Sequence, residues 1–328
     1  EAAVRIAVLI ADDLYVRSFV TSGALAELAA EHELIWLASD TLTGIDEVRR
    51  QAGYRGTVRN DPRRTDLYDR FRHLRMAVNR RRSSSMAIRV RDMPARTRRL
   101  ALVMALPGIR ALRAAIDMRR LGPNDELRRT LTDIDPDLVI APTAGTDALV
   151  LDLVREARAL GIPSLVMVNG WDNVSSKMTF PKLPDYVAVW GPQSAEHAVR
   201  IHGFAPSRVF PIGVPTFQGY FRFDSARTPA PYPFPYILFA GCAVAFDERS
   251  ALQRLDEALT AAGIDDLRIV YRPHQWRHPR LRDDFVREED FRHVTIDAQV
   301  REAYQAAAGE YVGTDEFLPA LDYYPALV

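Results

Sequence analysis

The sequence predicts an α/β protein of two doubly wound domains, each a parallel sheet covered by helices. Short apolar runs with the length of strands alternate with amphipathic helical stretches along the chain. This alternation is interrupted once, by the proline-rich stretch Pro229–Pro235, and then restarts. The length of 328 residues suits two domains of ordinary size, and 48% hydrophobic with 26% charged residues is typical of a globular enzyme.

The first domain begins with a strand–helix–strand unit. Ile6–Ile10 is predicted as a strand, and a helical pattern follows through Phe19, Leu25 and Leu28. Leu34–Ala38 is predicted as the second strand. At this spacing the two strands pair in parallel, with the helix packed on one face of the sheet.

The alternation of predicted strands and helices resumes after residue 121. Strands are predicted at Asp137–Ala141, Ser164–Val168, Asp185–Trp190 and Val209–Gly213, and the helix after the first of these ends at Gly161. These elements extend the first domain to residue 225.

The second domain follows a linker at 226–235, where closely spaced prolines stiffen and extend the backbone. It is predicted at 236–328, with strands at Tyr236–Ala240, Leu267–Tyr271 and Val294–Ile296 and a helix at Glu248–Ala262. A complete α/β domain needs at least one further strand, so the sequence predicts that this domain is incomplete.

Residues 61–121 form a basic insertion in the first domain. Seventeen arginines and five aspartates lie between Asp61 and Arg120, although the whole chain carries no net charge. Leu, Met, Ile and Val at irregular helical spacing, broken at Pro94 and Pro107, predict helices. The interleaved apolar residues favour an anionic membrane interface over nucleic acid, because no nucleic-acid recognition module is visible. A solvated face paired with the acidic remainder of the chain is the alternative.

Composition and motifs exclude several classes. A single cysteine, Cys242, allows no disulfide framework and indicates a reducing compartment. The apolar start Val4–Ile10 reads as a strand and not as a signal peptide, and no apolar run approaches the ~20 residues that span a bilayer. The expected location is therefore the cytoplasm, with peripheral binding to the inner face of the cytoplasmic membrane. Kinase and dehydrogenase glycine motifs are missing from the sequence.

Polar side chains cluster in the loop that follows the predicted strand Ser164–Val168. In open parallel sheets, ligands bind at the carboxyl ends of the strands. The candidate substrate-binding residues of this loop are Asn169, Trp171, Asn173, Ser175 and Lys177, and Asp172 is a candidate catalytic base. The alternative is a capped turn in which Asp172 or Asn173 caps a helix and Trp171 covers the core.

Two other strand ends of the first domain carry candidates. Asp13 is a candidate general base for an acceptor hydroxyl, although Asp12 and Asp13 also suit helix N-caps. Thr143 and Thr146 are predicted to line the acceptor side, and the same loop also suits a helix cap.

Four ordered motifs carry a resemblance to a known family. Trp171–Lys177, Trp190–Gln193, His202–Gly203 and Val209–Pro215 resemble the landmarks of GT-B-type glycosyltransferases of bacterial surface polysaccharide biosynthesis. Relatives of that family are the CDP-glycerol glycerophosphotransferases and the capsule and lipopolysaccharide glycosyltransferases. The match is tight over about 165–220 and looser over 135–328. The resemblance implies a nucleotide-activated donor on the second domain and an acceptor on the first.

The motif Arg272–Pro273–His274 resembles one that contacts donor phosphates in those relatives. The guanidinium of Arg272 can bind two phosphate oxygens at once, so Arg272 is a candidate donor-binding residue together with His274. An imidazole can donate a hydrogen bond to the charge that develops on the leaving group, so His274 is also a candidate catalytic residue. A surface turn is the alternative. Gly241 and Cys242 are the further predicted donor-binding positions, since glycine lets a backbone amide approach phosphate, whereas a bend with Cys242 as a packing residue is also open.

These observations predict an enzyme that transfers a sugar from a nucleotide-activated donor to a polysaccharide or lipid-linked acceptor in cell-envelope biosynthesis. No metal and no cofactor other than the donor are expected, and no nucleic-acid partner. One alternative is a sugar-nucleotide 2-epimerase of the same fold, disfavoured because no His-Glu-Ala-Gly-like loop stands where Trp171–Asn173 lies. A non-enzymatic two-domain sugar-binding protein is the other.

Overall fold

The computed structural model describes residues 3–224, 228–242, 246–274, 285–307 and 323–328. The chain divides into two compact units, Glu1–Pro215 and Thr216–Val328. The first unit therefore ends ten residues before the predicted boundary at 225. Each unit contains its own parallel sheet, which confirms the predicted α/β class.

The first unit is built on a seven-stranded parallel sheet in the order β3-β2-β1-β4-β5-β6-β7. Its strands are β1 (Arg5–Ile10), β2 (Glu33–Ser39), β3 (Tyr54–Val58), β4 (Leu138–Thr143), β5 (Ser164–Val168), β6 (Tyr186–Val189) and β7 (Val209–Pro211). Because β1 pairs with both β2 and β4, the winding direction reverses between β1 and β4. This reversal confirms the doubly wound arrangement, and its carboxyl edge is where such sheets bind ligands.

The helices of the first unit are α1 (Asp13–Tyr15), α2 (Ala26–Glu31), α3 (Ile45–Arg49), α4 (Pro62–Asn79), α5 (Ser84–Asp92), α6 (Ala95–Met104), α7 (Pro107–Leu121), α8 (Asp125–Ile134), α9 (Ala148–Leu160), α10 (Asn173–Ser176) and α11 (Pro192–His197). The single helix expected between β1 and β2 is three pieces, with the π-helix Val16–Thr21 between α1 and α2. Gly23, at φ +69°, ends the middle piece, because that backbone conformation cannot continue a helix.

The core of this unit explains why β1 is a continuous apolar run. Every residue of Ile6–Ile10 is at most 2% exposed, because β1 is an interior strand of the sheet with both faces covered. The helix α9 packs on β4 and β5 and carries a buried apolar face that includes Leu149, Leu153 and Val154.

The basic insertion is helical, as predicted, and α4 to α7 occupy it. Asp61 caps α4 by accepting from the Arg63 amide at 2.9 Å, and Pro107 starts α7 at a position that needs no amide hydrogen. The insertion is fastened to α9 by Asp152, a buried carboxylate that accepts from the Arg64 guanidinium and from the Tyr68 hydroxyl at 2.6 Å. The predicted pairing of the insertion with acidic residues elsewhere in the chain is thus observed at Arg64.

A second buried carboxylate of α9 holds the segment that follows the insertion. Glu156 accepts from the Asn124 amide at 2.9 Å, from Arg128 Nε at 2.8 Å and from the neighbouring Arg155. Burial alone would raise the pKa of Glu156, but these donors outweigh it and hold the pKa below its ordinary value.

The second unit contains a three-stranded parallel sheet in the order β10-β9-β8. The elements are β8 (Tyr236–Ala240), β9 (Arg268–Arg272) and β10 (Val294–Ile296), with helices α12 (Gln218–Arg222), α13 (Glu248–Ala261), α14 (Arg301–Ala307) and α15 (Tyr323–Leu327). A separate core of side chains such as Leu252, Ile269 and Ile296 lies around this sheet. The stretch Pro229–Pro235 contains neither helix nor strand and leads directly into β8.

Candidate functional site

A buried tyrosine–carboxylate pair joins the loops that follow β1 and β4. The Tyr15 hydroxyl donates to Asp147 Oδ2 at 2.7 Å and accepts from the Ala144 amide at 2.6 Å. Burial raises the pKa of Asp147, and the hydrogen bonds from Thr143 and Tyr15 offset only part of that rise. Burial and the Asp147 charge also raise the pKa of Tyr15. The pair fixes the geometry of the edge where the winding reverses.

Thr143 and Thr146, the predicted acceptor-side residues, differ in exposure. Thr143 is fully buried, donates to Asp147 Oδ2 and accepts from the Gly145 amide at 2.8 Å. Its hydroxyl is therefore used inside the loop. Thr146 is half-buried and is the better placed of the two to meet a ligand. Asp147 stands at the N-cap position of α9 but makes no capping hydrogen bond with its side chain.

Asp12 and Asp13 have different structural roles at the end of β1. Asp12 caps α1 by accepting from the Leu14 amide at 2.9 Å, as the capping alternative predicted for it. Asp13 accepts from the Thr43 hydroxyl at 2.8 Å and from the Gly44 amide at 2.8 Å, so both of its oxygens are engaged. Asp13 thereby ties the β1 and β2 loops together, and its role as a base stays a prediction.

The polar side chains of the Asn169–Lys177 loop largely bond to one another. Asp172 Oδ2 accepts from the Ser176 hydroxyl at 2.8 Å, and Asp172 Oδ1 accepts from the Asn173 amide group at 3.2 Å. The Asn173 side-chain oxygen accepts from the Gly170 amide at 3.0 Å, with the amide oriented to satisfy both partners. The loop is therefore internally braced, although Asp172, which stands at the N-cap position of α10, makes no capping hydrogen bond with its side chain.

Close packing explains the glycine in this loop. A Cβ at Gly170 would lie 2.9 Å from the amide group of Asn173, which is buried. Ser175 donates to the Asp172 carbonyl at 3.1 Å, and its own carbonyl accepts from the Ser83 hydroxyl at the start of α5. The loop is thus fixed on the helical insertion.

Trp171 is the side chain that this loop presents to solvent. It is 63% exposed, so it does not cover the core as the capped-turn alternative required. Lys177 is half-buried. The Asn169 backbone amide donates to the Thr143 carbonyl at 3.0 Å, and this hydrogen bond holds the β4 and β5 loops side by side. The indole and the ammonium remain the candidate ligand-binding groups of the loop.

His202 supports the loop from beneath. Its Nε2 lies 2.7 Å from the Val174 carbonyl oxygen, and its ring packs edge-on against Phe180 with centroids 5.9 Å apart. Burial lowers the pKa of His202 to about 4. At neutral pH the ring is uncharged, and Nε2–H donates to the carbonyl.

At the carboxyl edge of the second sheet, Arg272 is fixed by a buried ion pair. Its guanidinium donates to Asp297, at the end of β10, and to the Tyr324 hydroxyl at 3.2 Å. The same guanidinium lies over the rings of Tyr324 and Tyr323, at 4.9 and 5.7 Å from their centroids. Arg272 is 6% exposed, so its charge is held within the unit and is not displayed on the surface.

Asp297 collects hydrogen bonds from three elements. Besides Arg272, it accepts from the Tyr232 hydroxyl at 2.6 Å and from the Tyr323 hydroxyl at 2.5 Å. Burial alone would raise the pKa of Asp297, but these donors outweigh it and hold the pKa below its usual value. The carboxylate is therefore a charged structural centre at this edge.

Gly241, Cys242 and His274 lie together beside this ion pair. A Cβ at Gly241 would lie 2.9 Å from the His274 amide nitrogen and 2.9 Å from Glu248 Oε2, so the glycine permits close packing. The Cys242 amide donates to Glu248 Oε1 at 2.7 Å and is thus already bonded to a carboxylate. Phosphate binding by this amide stays a prediction and requires Glu248 to give way.

Three residues of these clusters were not predicted from the sequence. Asp297 follows a predicted strand directly, so the rule that selected Arg272 could have selected it. Tyr15 and Glu248 gave no comparable signal, and His202 was singled out only as part of a motif, without a role. Within the described ranges, no group of three or more His, Cys, Asp or Glu side chains is placed to hold a metal ion.

The insertion carries an exposed apolar ridge on α6, α7 and the turn between them. The ridge consists of Leu100, Val103, Leu106, Ile109, Leu112 and Ile116, which are between 37% and 65% exposed. Exposed arginines lie at the outer ends of the two helices, Arg96 and Arg99 on α6 and Arg119 and Arg120 on α7. By helical spacing they share a face with the apolar residues of their own helix. No helix in the described part of the chain is long and apolar enough to cross a membrane.

Comparisons with known proteins give only remote likenesses. No protein-family model matches the chain, and no curated protein matches it. A putative UDP-N-acetylglucosamine 2-epimerase from Listeria monocytogenes is 11% identical, with 90% of this chain and 69% of that chain covered and a TM-score of 0.48. A lipopolysaccharide outer core galactosyltransferase is 9% identical, with 94% and 72% covered and a TM-score of 0.43.

MurG from Acinetobacter baumannii is 14% identical, with 89% and 65% covered and a TM-score of 0.38. Likenesses of this strength transfer no activity to the chain.

Proposed function

We propose that this protein is a GT-B-type enzyme that uses a nucleotide-activated sugar and transfers the sugar to a cell-envelope acceptor. The observation that carries the proposal is the edge of the second sheet, where Gly241, Arg272, His274 and Asp297 lie at the ends of three adjacent parallel strands. Nucleotides bind at such edges in doubly wound folds. The sequence motifs after β5 and β9 supply the specific link to sugar transfer.

In the proposed reaction, the second unit binds the donor phosphates. The Arg272 guanidinium is buried and paired with Asp297, so it fixes the end of β9, from which the chain continues to His274, and it does not contact the phosphates directly. His274, beside Gly241, would donate to the charge that develops on the leaving phosphate.

The first unit would bind the acceptor hydroxyl. Trp171 offers an exposed indole surface for a sugar ring, with Lys177 in the same loop. Of the two carboxylates predicted as the base, Asp13 accepts from the Thr43 and Gly44 loop, and Asp172 accepts from Ser176 and Asn173. A base needs a free lone pair directed at the acceptor. We place the base at Asp172, because it lies in the same loop as the exposed indole of Trp171.

We further propose that the enzyme works as a peripheral protein on an anionic membrane, where a lipid-linked acceptor is found. The apolar ridge with arginines at its outer ends supports this, because aliphatic side chains enter the acyl region while guanidinium groups meet lipid phosphates.

A thermal-shift panel of UDP, GDP, CDP, CMP and dTDP compounds tests the donor proposal. One nucleotide should stabilise the protein, and His274→Ala should weaken its binding by about 1.5–3 kcal/mol, the worth of a charge-assisted hydrogen bond. His197→Ala, in the first unit, is the matched control. Absence of stabilisation by every nucleotide would overturn the proposal. Epimerisation of UDP-N-acetylglucosamine without any acceptor would show that the enzyme is an epimerase and not a transferase.

A further inference from the structure

The insertion contains an apolar cavity that the proposed sugar transfer does not use. Its volume is about 140 Å³, and it lies between α4, α6 and α7. Leu74, Leu100, Ala101 and Met104 form its apolar walls. An apolar cavity of about 150 Å³ stays dry and accepts a molecule the size of benzene, so this one has room for a hydrocarbon segment of about six carbons.

The cavity opens beside the exposed ridge. Leu100 belongs to both, since it lines the cavity and is 56% exposed, whereas Ala101 is buried on the inner side of the same helix. A hydrocarbon chain that lies along the ridge can therefore reach the cavity at Leu100.

Charge around the cavity places the polar end of a ligand outside it. Arg70 and Asp117 line the cavity with one charge of each sign, and burial lowers the pKa of His73, so the lining carries no net charge. The exposed Arg96 and Arg99 lie on α6, about one turn and one residue before Leu100, respectively. An anionic head group at these arginines, with its tail in the cavity, satisfies both halves of an amphiphile.

We propose that this cavity binds the acyl chain of an anionic single-chain or membrane amphiphile, with the head group at Arg96 and Arg99. The site would hold the protein to individual lipid molecules in addition to the general attraction of the ridge to a bilayer. It does not depend on the identity of the sugar donor, because the cavity lies wholly within the insertion.

Isothermal titration with monomeric dodecyl phosphate tests this assignment. Wild-type protein should bind one equivalent, and an equal concentration of inorganic phosphate should not compete. Ala101→Phe fills the cavity and should weaken binding at least tenfold, and Ala95→Phe, the same substitution at an exposed position of α6, should bind like wild type. A folded Ala101→Phe protein with less than a threefold loss, or equal competition by inorganic phosphate, would overturn the proposal.

Leu100→Gln is the second variant, because the buried Ala101 position tolerates a large side chain less well. It places an amide in the wall from a half-exposed position and should also weaken dodecyl phosphate binding at least tenfold. If Ala101→Phe does not fold, unchanged binding by Leu100→Gln overturns the proposal by itself. Nucleotide stabilisation is recorded on the same proteins. Binding of dodecyl phosphate without any nucleotide response would contradict the proposed function and leave the cavity assignment standing.

Discussion

Tyr15 and Asp147 face each other across the point where the first sheet reverses its winding, with the tyrosine hydroxyl 2.7 Å from Asp147 Oδ2. The two residues are 132 positions apart in the chain, and their contact exists only because β1 and β4 are neighbours. The same hydroxyl accepts from the Ala144 amide, so one side chain orders both loops of the edge.

Removal of this hydroxyl should destabilise the first unit. Tyr15→Phe removes one of the two hydroxyl donors to Asp147 and leaves the Ala144 amide without its acceptor, and we expect a loss of about 1.5–3 kcal/mol in the free energy of unfolding. Urea titration measures it. Tyr186→Phe is the control, because its ring contacts Phe210 and Arg208 while the structure shows no hydrogen bond of its hydroxyl, and it should change stability by less than about 0.5 kcal/mol. Equal effects of the two substitutions would contradict the assigned role.

Loss of the Arg272 charge should lower the free energy of unfolding of the second unit even in the absence of a ligand. Arg272→Ala leaves Asp297 buried without its counter-ion, which costs about 3–5 kcal/mol. The double variant Arg272→Ala/Asp297→Asn should recover part of that loss, because the buried charge is gone. Arg268→Ala, at the exposed start of the same strand, should remain within about 0.5 kcal/mol of wild type. No recovery in the double variant would show that the pair is not the stabilising unit.

Protonation of His202 should weaken the fold in acid. The pKa of His202 is about 4 in the folded protein and about 6.5 in the unfolded chain. Between these values the unfolded chain binds more protons, so stability rises with pH through this window and is lost as pH falls, by about 3 kcal/mol in total. His202→Gln keeps a donor for the Val174 carbonyl but does not titrate. Unfolding titrations at several pH values should therefore show a smaller difference between pH 4 and 6.5 for this variant, and a His197→Gln control should retain the wild-type slope.

Vesicle co-sedimentation tests the ridge. The protein should pellet with phosphatidylglycerol vesicles at low salt and not with neutral ones, since each arginine near the surface contributes ~1 kcal/mol. Added salt screens that attraction over ~8–10 Å, and binding that survives it should be lost in Leu106→Asp/Leu112→Asp. Leu160→Asp, at an exposed leucine outside the insertion, is the matched control. Negligible pelleting with both kinds of vesicle would end the membrane proposal.

Regular elements were predictable from the sequence because their signals are local. The strands Ser164–Val168 and Tyr236–Ala240 and the helix after Asp247 follow from runs of apolar residues and their flanking caps. The break of the first helix was not predicted, because the apolar residues of the segment Val16–Thr21 are spaced in the sequence as they would be in an α-helix. The candidate site was predictable only as a set of strand ends.

What those side chains do at the strand ends was not predictable. Asp172 and Asn173 were expected to face a ligand, and they bond to each other and to Ser176 and Gly170. Arg272 was expected to face phosphate, and it pairs with a carboxylate 25 residues later in the chain. Each of these outcomes depends on which loops meet in three dimensions, and strand periodicity carries no information on that.

The anchoring of the insertion by Asp152 has an evolutionary consequence. The carboxylate belongs to α9, the helix that connects β4 to β5, while Arg64 and Tyr68, two of its partners, belong to α4 of the insertion. In a homologue that lacked residues 61–121, an aspartate at this position would be buried without the hydrogen bonds from Arg64 and Tyr68. The insertion and the acid should therefore have been gained or lost together, and shorter homologues should carry an apolar residue where this chain has Asp152.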